Sequence, residues 1–157
     1  MQPISVKCGF ELLGRVLCPG LALVGAGGLG SPAALYLAAA GVGRIGLIDS
    51  DVVDLTNLQR QVLHHTPDVG RPKVLSGKEK IQALNPDVQV SMYEERLTAG
   101  NALKIFNDYD VVIDGVDNFT AKFLINDACF FAGKPLVHGG VLRHTAQFLT
   151  VMPGQSG

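Results

Sequence analysis

The sequence has few cysteines, almost no net charge and no long apolar run, and each shortage excludes a class of protein. Its three cysteines, Cys8, Cys18 and Cys129, match no metal or redox spacing, so we expect free thiols in a reducing cytoplasm. A formal charge of −1 provides no attraction to nucleic acid or to an anionic membrane. The longest apolar run, residues 33–42, is too short to cross a bilayer, and the first residues lack the pattern of a signal peptide.

The residues that are present predict one globular domain of the α/β class. Hydrophobic residues make up 47% of the chain, which is enough to form a core. Short apolar runs alternate with Ala-rich or amphipathic stretches, as in α/β domains. Right-handed crossovers then predict a doubly wound, mostly parallel Rossmann-like sheet of order 3-2-1-4-5, with helices on both faces. We predict strands at 21–24, 44–49, 88–93, 109–115, 135–139 and 147–151, and helices at 31–40, 72–84, 101–106 and 118–132.

A glycine-rich loop, GAGGLG, lies between the first predicted strand and the helix that follows it. Gly25, Gly27 and Gly30 satisfy the G-x-G-x-x-G pattern. Together with Gly28 they allow a phosphate to approach the backbone amides at the start of the helix. Asp49 ends the second strand, where an acidic side chain commonly binds ribose hydroxyls. These features alone fit ATP and NAD equally well.

The long segment after Asp49 favours ATP. It carries Asn57, Arg60 and Gln61, and Lys73 follows it, all on the predicted rim of the glycine loop. Attack at the α-phosphorus of a triphosphate needs cationic groups and usually a metal ion, and Arg60 and Lys73 can supply the cations. The alternative is that both are ordinary solvated surface charges.

Asp117 and Asn118 follow the predicted strand 109–115. In a sheet of order 3-2-1-4-5 this strand lies beside the first one, so we expect Asp117 opposite the glycine loop, suited to hold Mg²⁺. The alternative is that Asp117 or Asn118 caps the next helix. Together with Arg60 and Lys73 on the same rim, the pattern favours Mg-ATP. No histidine pair has metal-ligand spacing, and we expect His64, His65, His138 and His144 to be structural and not catalytic.

These motifs together resemble the bacterial ThiF/MoeB/HesA adenylyltransferases, relatives of the ubiquitin-activating E1 enzymes. The resemblance covers nearly everything from Leu21 onward. It implies that residues 21–157 bind Mg-ATP and adenylate the C-terminal glycine of a ubiquitin-like sulfur carrier protein of the MoaD or ThiS type, which ends in Gly-Gly. It also implies a homodimer. The motifs, besides the glycine loop, are NLQRQ at 57–61, VGRPK at 69–73, DGVDNF at 114–119 and KPLVHGGVLR at 134–143.

The resemblance also implies individual roles. Gly28 matches a glycine that contacts the nucleotide, Asp49 the ribose ligand, and residues 56–60 the loop that lines the phosphates. Lys73 matches the phosphate-binding lysine and Asp117 the metal-linked aspartate. The predicted catalytic residues are Arg60, Lys73 and Asp117, and the predicted nucleotide-binding residues are Gly25, Gly27, Gly28, Gly30, Asp49, Thr56, Asn57, Arg60, Gln61, Lys73, Asp117 and Asn118.

Two departures from the family pattern limit what the resemblance implies. Residues 1–20 contain only Arg15 and no R-Y-x-R-Q-type motif, so we interpret them as a divergent segment, with 12–16 as the remainder of a helix. The chain ends at Gly157, before the C-x-x-C cysteines that bind zinc in the family, and we expect an incomplete adenylation domain without that zinc site. Two alternatives stay open: a non-catalytic nucleotide-binding fragment, and an NAD(P)-linked oxidoreductase on the same fold.

Overall fold

The computed structural model describes residues 19–155 completely and residues 11–12 and 15–16 by their backbone alone. Two short strands, β1 (Glu11–Leu12) and β2 (Arg15–Val16), pair in antiparallel fashion. The expected helix at 12–16 is therefore wrong. The rest of the predicted N-terminal segment up to residue 18, including Cys8 and Cys18, lies outside the described residues.

The described residues from 19 onward form a six-stranded sheet with helices on both faces. The order across the sheet is β5-β4-β3-β6-β7-β8; the first five strands are parallel, and β8 runs antiparallel to β7. The predicted order 3-2-1-4-5 is thus confirmed, with β8 added at the edge. The strands are β3 (Gly20–Val24), β4 (Arg44–Ile48), β5 (Gln89–Tyr93), β6 (Val111–Asp114), β7 (Leu136–Leu142) and β8 (Thr145–Val151), and the helices are α1 (Gly30–Ala39), α2 (Lys73–Leu84), α3 (Ala102–Asn107) and α4 (Phe119–Ala132).

The central strand β3 divides the core into two layers. Alternate side chains of a strand point to opposite faces of the sheet. Leu21 and Leu23 pack with the buried residues of α1 and α2. Ala22 and Val24 pack on the other face with the buried residues of α3 and α4. Because β3 is apolar on both faces, it needs helices on both, as the continuous run at 21–24 predicted.

The long connection after β4 is held by polar contacts. The Val53 amide donates to the carbonyl of Arg71, and the Gly70 amide donates to the carbonyl of Val53, so the two ends of the segment pair with each other. The buried carboxylate of Asp68 accepts from the His65 amide and forms ion pairs with Arg71 and Lys80. Burial acts to raise the pKa of Asp68, but hydrogen bonds from the His65 amide, Lys80 and Ser76 outweigh it and lower the pKa to about 2. Two short 3-10 helices lie within the segment, at Leu55–Asn57 and Thr66–Asp68.

Cys129 is buried in α4 as a free thiol, as its lack of metal or redox spacing predicted. Burial raises its pKa to about 12, so the thiol stays protonated at neutral pH. In the described part of the chain, every helix is too short or too polar to span a bilayer.

Candidate nucleotide-binding cleft

A cleft of about 1630 Å³ lies at the carboxyl ends of the parallel strands. In doubly wound sheets this edge is where ligands bind, at the point where the strand order reverses between β3 and β6. Most predicted site residues line the cleft, whereas Gly30, Thr56 and Asn57 do not. The predicted residues in its wall are Gly25, Gly27, Gly28, Asp49, Arg60, Gln61, Lys73, Asp117 and Asn118.

The glycines of the loop have two different roles: some allow its turn and close packing, and others leave open space in the cleft. Gly25 has φ +90°, a conformation that side chains rarely adopt, and its amide donates to the Ile48 carbonyl over 2.8 Å. A Cβ on Gly30 would lie 1.8 Å from the Gly25 carbonyl oxygen, so Gly30 lets α1 pack against the loop and does not face the cleft. Gly27 and Gly28 do line the cleft.

Asp49 anchors the glycine loop to the end of β4. One carboxylate oxygen accepts from the Ala26 amide over 2.8 Å, and the other accepts from the Asp51 amide over 2.9 Å. A carboxylate has about four lone-pair sites, so two remain for a ligand. Asp49 therefore shapes the glycine loop, and this role comes in addition to the predicted role in ribose binding.

His64 holds the same loop from the side of α2. Its Nε2 lies 3.0 Å from the Ala26 carbonyl oxygen, and its Nδ1 lies 3.0 Å from the Ser76 hydroxyl. Burial lowers the pKa of His64, which favours the neutral imidazole. Because a carbonyl only accepts, Nε2 carries the proton, and Nδ1 is the unprotonated nitrogen that faces the Ser76 hydroxyl. The side chain packs and positions the loop, as expected of a non-catalytic histidine.

Three side chains from the predicted rim line the cleft together with the glycine loop. Lys73, the first residue of α2, is 5% exposed, and its Nζ lies 2.9 Å from a carboxylate oxygen of Asp51. Such burial excludes the interpretation of Lys73 as a solvated surface charge. Arg60 is exposed and runs beside Gly28, since a Cβ there would lie 3.4 Å from its Cδ. Gln61 is 4% exposed, and its Oε1 has no hydrogen-bond partner among the described residues.

Thr56 and Asn57 support this rim from outside the cleft. The Thr56 amide and hydroxyl donate to the Asp54 carboxylate, which lowers the pKa of Asp54. The Asn57 carbonyl accepts from the amides of Arg60 and Gln61, over 3.1 and 3.0 Å. These two residues thus shape the turn that presents Arg60 and Gln61.

Asp117 and Asn118 differ in what their side chains already do. The loop after β6 touches the glycine loop, because a Cβ on Gly25 would lie 3.1 Å from the Gly115 backbone. Asn118 is the N-cap of α4 and accepts from the Ala121 amide over 2.8 Å, so the capping alternative applies to Asn118. Asp117 is exposed in the cleft wall, with no hydrogen-bond partner among the described residues.

The donor set suits Mg²⁺ that arrives with a nucleotide. Among the described residues no three His, Cys, Asp or Glu side chains come together as a protein-only metal site. Mg²⁺ is usually bound through one or two carboxylates, with substrate phosphates and water completing its shell. The free carboxylate of Asp117 fits that pattern.

A second polar group in the cleft was not predicted. We call it the Asp114 cluster; it consists of Asp114, Lys122 and His138. The buried Asp114 carboxylate accepts from Lys122 Nζ over 3.0 Å and from His138 Nδ1 over 2.7 Å. The rule that selected Asp49 also applies to Asp114, which ends β6 at the same edge of the sheet.

Comparison with known proteins identifies relatives along nearly the whole chain. The sequence model of the ThiF family matches residues 13–157. The probable adenylyltransferase/sulfurtransferase MoeZ of Mycobacterium tuberculosis is 53% identical over 125 residues, which cover 80% of this chain and 32% of MoeZ. The sulfur carrier protein adenylyltransferase of Thermus thermophilus is 48% identical over 146 residues, covering 93% of this chain and 54% of that protein. The SAMP-activating enzyme E1 of Haloferax volcanii is 47% identical, covering 96% and 56%.

Solved structures agree with this family and with the predicted fold. Escherichia coli MccB with ATP matches with a TM-score of 0.82 and 29% identity, over 87% of this chain and 42% of that one. PaaA matches with a TM-score of 0.71 and 34% identity, over 78% of this chain and 38% of that one. The chain spans from about a third to a little over half of the length of the curated relatives named above.

Proposed function

The chain belongs to the ThiF family, and from this premise we propose that it is an ATP-dependent adenylyltransferase. Its substrate is the C-terminal glycine of a ubiquitin-like sulfur carrier protein. The observation that carries the proposal is one cleft in which the glycine loop, the cations Arg60 and Lys73 and the free carboxylate of Asp117 meet. The name of the Thermus thermophilus relative, a sulfur carrier protein adenylyltransferase, supports the choice of substrate.

The reaction needs little proton transfer. An oxygen of the carrier's C-terminal carboxylate forms a bond to the α-phosphorus of ATP. The bond from that phosphorus to the bridging oxygen breaks, and its electron pair leaves with pyrophosphate. The product is an acyl-adenylate. An α-carboxyl group has a pKa of about 3.3–3.7, so the nucleophile is already ionised at neutral pH and no general base is required.

Arg60 and Lys73 stabilise the negative charge that develops on pyrophosphate. Lys73 is held in place by Asp51 before the nucleotide arrives, which reduces the reorganisation that binding requires. Asp117 is the residue that would hold Mg²⁺ with the phosphates. When bound, the metal ion supplies Lewis-acid neutralisation of phosphate charge.

The test is ATP–pyrophosphate exchange with recombinant carriers that end in Gly-Gly. We expect Arg60→Ala and Asp117→Ala each to lower the exchange rate by about 10²- to 10³-fold, the usual effect of removing one group that stabilises transition-state charge. Asp127→Ala is the matched control, because Asp127 is exposed on α4 but does not line the cleft. Exchange that is indifferent to both cleft substitutions would overturn the site assignment.

The proposal includes self-association. Phe130 and Phe131 of α4 are 64% and 76% exposed, contact each other and lie outside the cleft, and exposed apolar patches commonly mark interaction surfaces. Light scattering at twice the chain mass would support a homodimer, and a monomer at assay concentration would contradict it.

A further inference from the structure

The Asp114 cluster lies at a defined distance from the glycine loop. Val24, Asp114 and His138 are paired in register across β3, β6 and β7. Gly25 directly follows Val24, so the cluster lies in the same row as the start of the loop, two strands away. Two strand spacings place His138 about 10 Å from Val24, where the glycine loop begins.

A count of hydrogen bonds shows what the cluster leaves unused. An ionised carboxylate only accepts, so the Nδ1 of His138 carries the proton that it shares with Asp114. In the neutral imidazole Nε2 is then an acceptor, and it has no partner among the described residues. The Lys122 ammonium has three protons and donates to Asp114 and to the Gly139 carbonyl, which leaves one. One donor and one acceptor therefore remain.

Both unused groups belong to side chains that line the cleft. Lys122 is 15% exposed and His138 is 19% exposed at the side chain. Gly140 contributes no side chain to the wall beside them, which also includes Leu149 and Gln147, the β8 partners of His138 and Gly140. A Cβ on Gly140 would lie 3.5 Å from Nε2 of His138, so the absent methyl leaves space next to the acceptor.

We infer that the Asp114 cluster binds the main chain of the extended C-terminal tail that brings the substrate carboxylate to ATP. Each peptide unit offers one carbonyl and one N–H. Lys122 donates to a tail carbonyl, and Nε2 of His138 accepts from a tail N–H. Asp114 is a positioning residue that fixes both groups. This inference rests on the proposed function and assigns residues to its protein substrate.

The distance indicates which part of the tail is bound. An extended chain advances about 3.3 Å per residue, so 10 Å corresponds to about three residues. The bound peptide unit is therefore two or three residues before the terminal carboxylate. The space beside Gly140 then accommodates the main chain of the tail next to Nε2 of His138.

The deciding variant is Gly140→Ala. Its added methyl makes an ordinary contact at 3.5 Å in the ligand-free protein, so the fold is retained, but the methyl occupies the space beside Nε2. We expect the half-saturating carrier concentration in ATP–pyrophosphate exchange to rise about tenfold or more, with that of ATP changed less than about twofold. Gly100→Ala is the matched control; its methyl would lie 3.8 Å from the Thr98 hydroxyl, outside the cleft.

Side-chain variants separate hydrogen bonding from packing. His138→Leu removes the acceptor, and we expect the same rise in half-saturating carrier concentration. His138→Gln keeps a carbonyl oxygen that accepts, and it should restore most of the affinity. Lys122→Met removes the donor, with Lys134→Met as its control, since Lys134 lies at the opposite end of β7. Thermal midpoints of all variants check the fold.

Direct binding distinguishes failure of the inference from failure of the proposed function. The probe is a fluorescently labelled recombinant sulfur carrier ending in Gly-Gly, followed by anisotropy with a non-hydrolysable ATP analogue present. If the wild type catalyses exchange but Gly140→Ala and His138→Leu bind the carrier as tightly as the wild type, the inference is overturned and the proposed function stands. If both variants bind the carrier more weakly but the wild type does not catalyse exchange, the inference is supported and the proposed reaction is overturned. No carrier binding by the wild type overturns both.

Discussion

Single residues in the cleft fall into two groups, those fixed by partners and those left free for a ligand. Lys73 is paired with Asp51, and Asp49 is bonded to two backbone amides. Asp117 and the Oε1 of Gln61 have no partner among the described residues. A buried polar atom without a partner is unfavourable, so the Oε1 of Gln61 is a cost that the fold carries beside the cleft.

His64 predicts a pH dependence of stability. Burial lowers its native pKa, whereas the unfolded chain has a pKa near 6.5, so below that pH the unfolded state binds more protons. Stability is therefore lost as the pH falls through about 6.5. We expect the free energy of unfolding to drop between pH 7.5 and pH 5.5 by up to about 1.4 kcal/mol more in the wild type than in His64→Gln. Urea unfolding at both pH values measures this.

His144→Gln is the control for that measurement, because His144 is exposed on the turn between β7 and β8. It should follow the wild type at both pH values. If His64→Gln loses as much stability as the wild type between the two pH values, the neutral, loop-binding state of His64 is wrong.

At the scale of elements, different glycines in the loop between β3 and α1 are needed for stability and for ATP binding. Gly30→Ala places a methyl 1.8 Å from the Gly25 carbonyl oxygen, and we expect a loss of about 3 kcal/mol or more in the free energy of unfolding. Gly27→Ala places its methyl 3.7 Å from the nearest atom, in the cleft. It should fold normally and bind ATP about tenfold or more weakly, because the backbone no longer approaches the phosphates.

Calorimetric titration with ATP and urea unfolding test both substitutions together. The two variants serve as controls for each other, since each adds one methyl to the same loop. Equal loss of stability in both, or normal ATP affinity in Gly27→Ala, would contradict the division of roles within the loop.

The elements were predictable where local pattern decides them. The apolar run at 21–24 and the proline before Lys73 locate β3 and the start of α2, because burial on both faces and proline geometry act over a few residues. The β7–β8 hairpin was underestimated, since β7 extends to Leu142 and β8 begins at Thr145. Those additional residues are strands only because each pairs with the other across a two-residue turn.

The site residues were predictable where they follow the carboxyl end of a parallel strand. Asp49, Arg60, Lys73 and Asp117 all reach the cleft, because parallel strands place their carboxyl ends at one edge. His64 could not be assigned from sequence, since its partner Ala26 is distant along the chain and the segment between them has no periodicity. That segment is held by contacts around the buried Asp68, which no local pattern reveals.

At the scale of the whole molecule, ligand binding joins elements that are separate in sequence. The glycine loop contacts the loop after β6 at Gly115, and His64 connects it to α2. A nucleotide that contacts the glycine loop, Lys73 and Asp117 together therefore stabilises the native state as one unit. Because such stabilisation follows mass action, it reports which ligand the cleft prefers.

Thermal unfolding with Mg-ATP and with NAD tests that preference. A ligand at 100 times its dissociation constant stabilises by about 2.7 kcal/mol. For a chain of this length that corresponds to a rise in Tm of roughly 5–10 °C. We expect Mg-ATP to produce this rise and NAD at the same concentration to produce little change, because Arg60 and Lys73 interact most strongly with a triphosphate.

Lys73→Met should abolish the rise in Tm with Mg-ATP, while the ligand-free Tm stays close to that of the wild type, since its partner Asp51 is exposed and remains solvated. A larger shift with NAD than with Mg-ATP would favour the oxidoreductase alternative and contradict the proposed adenylation.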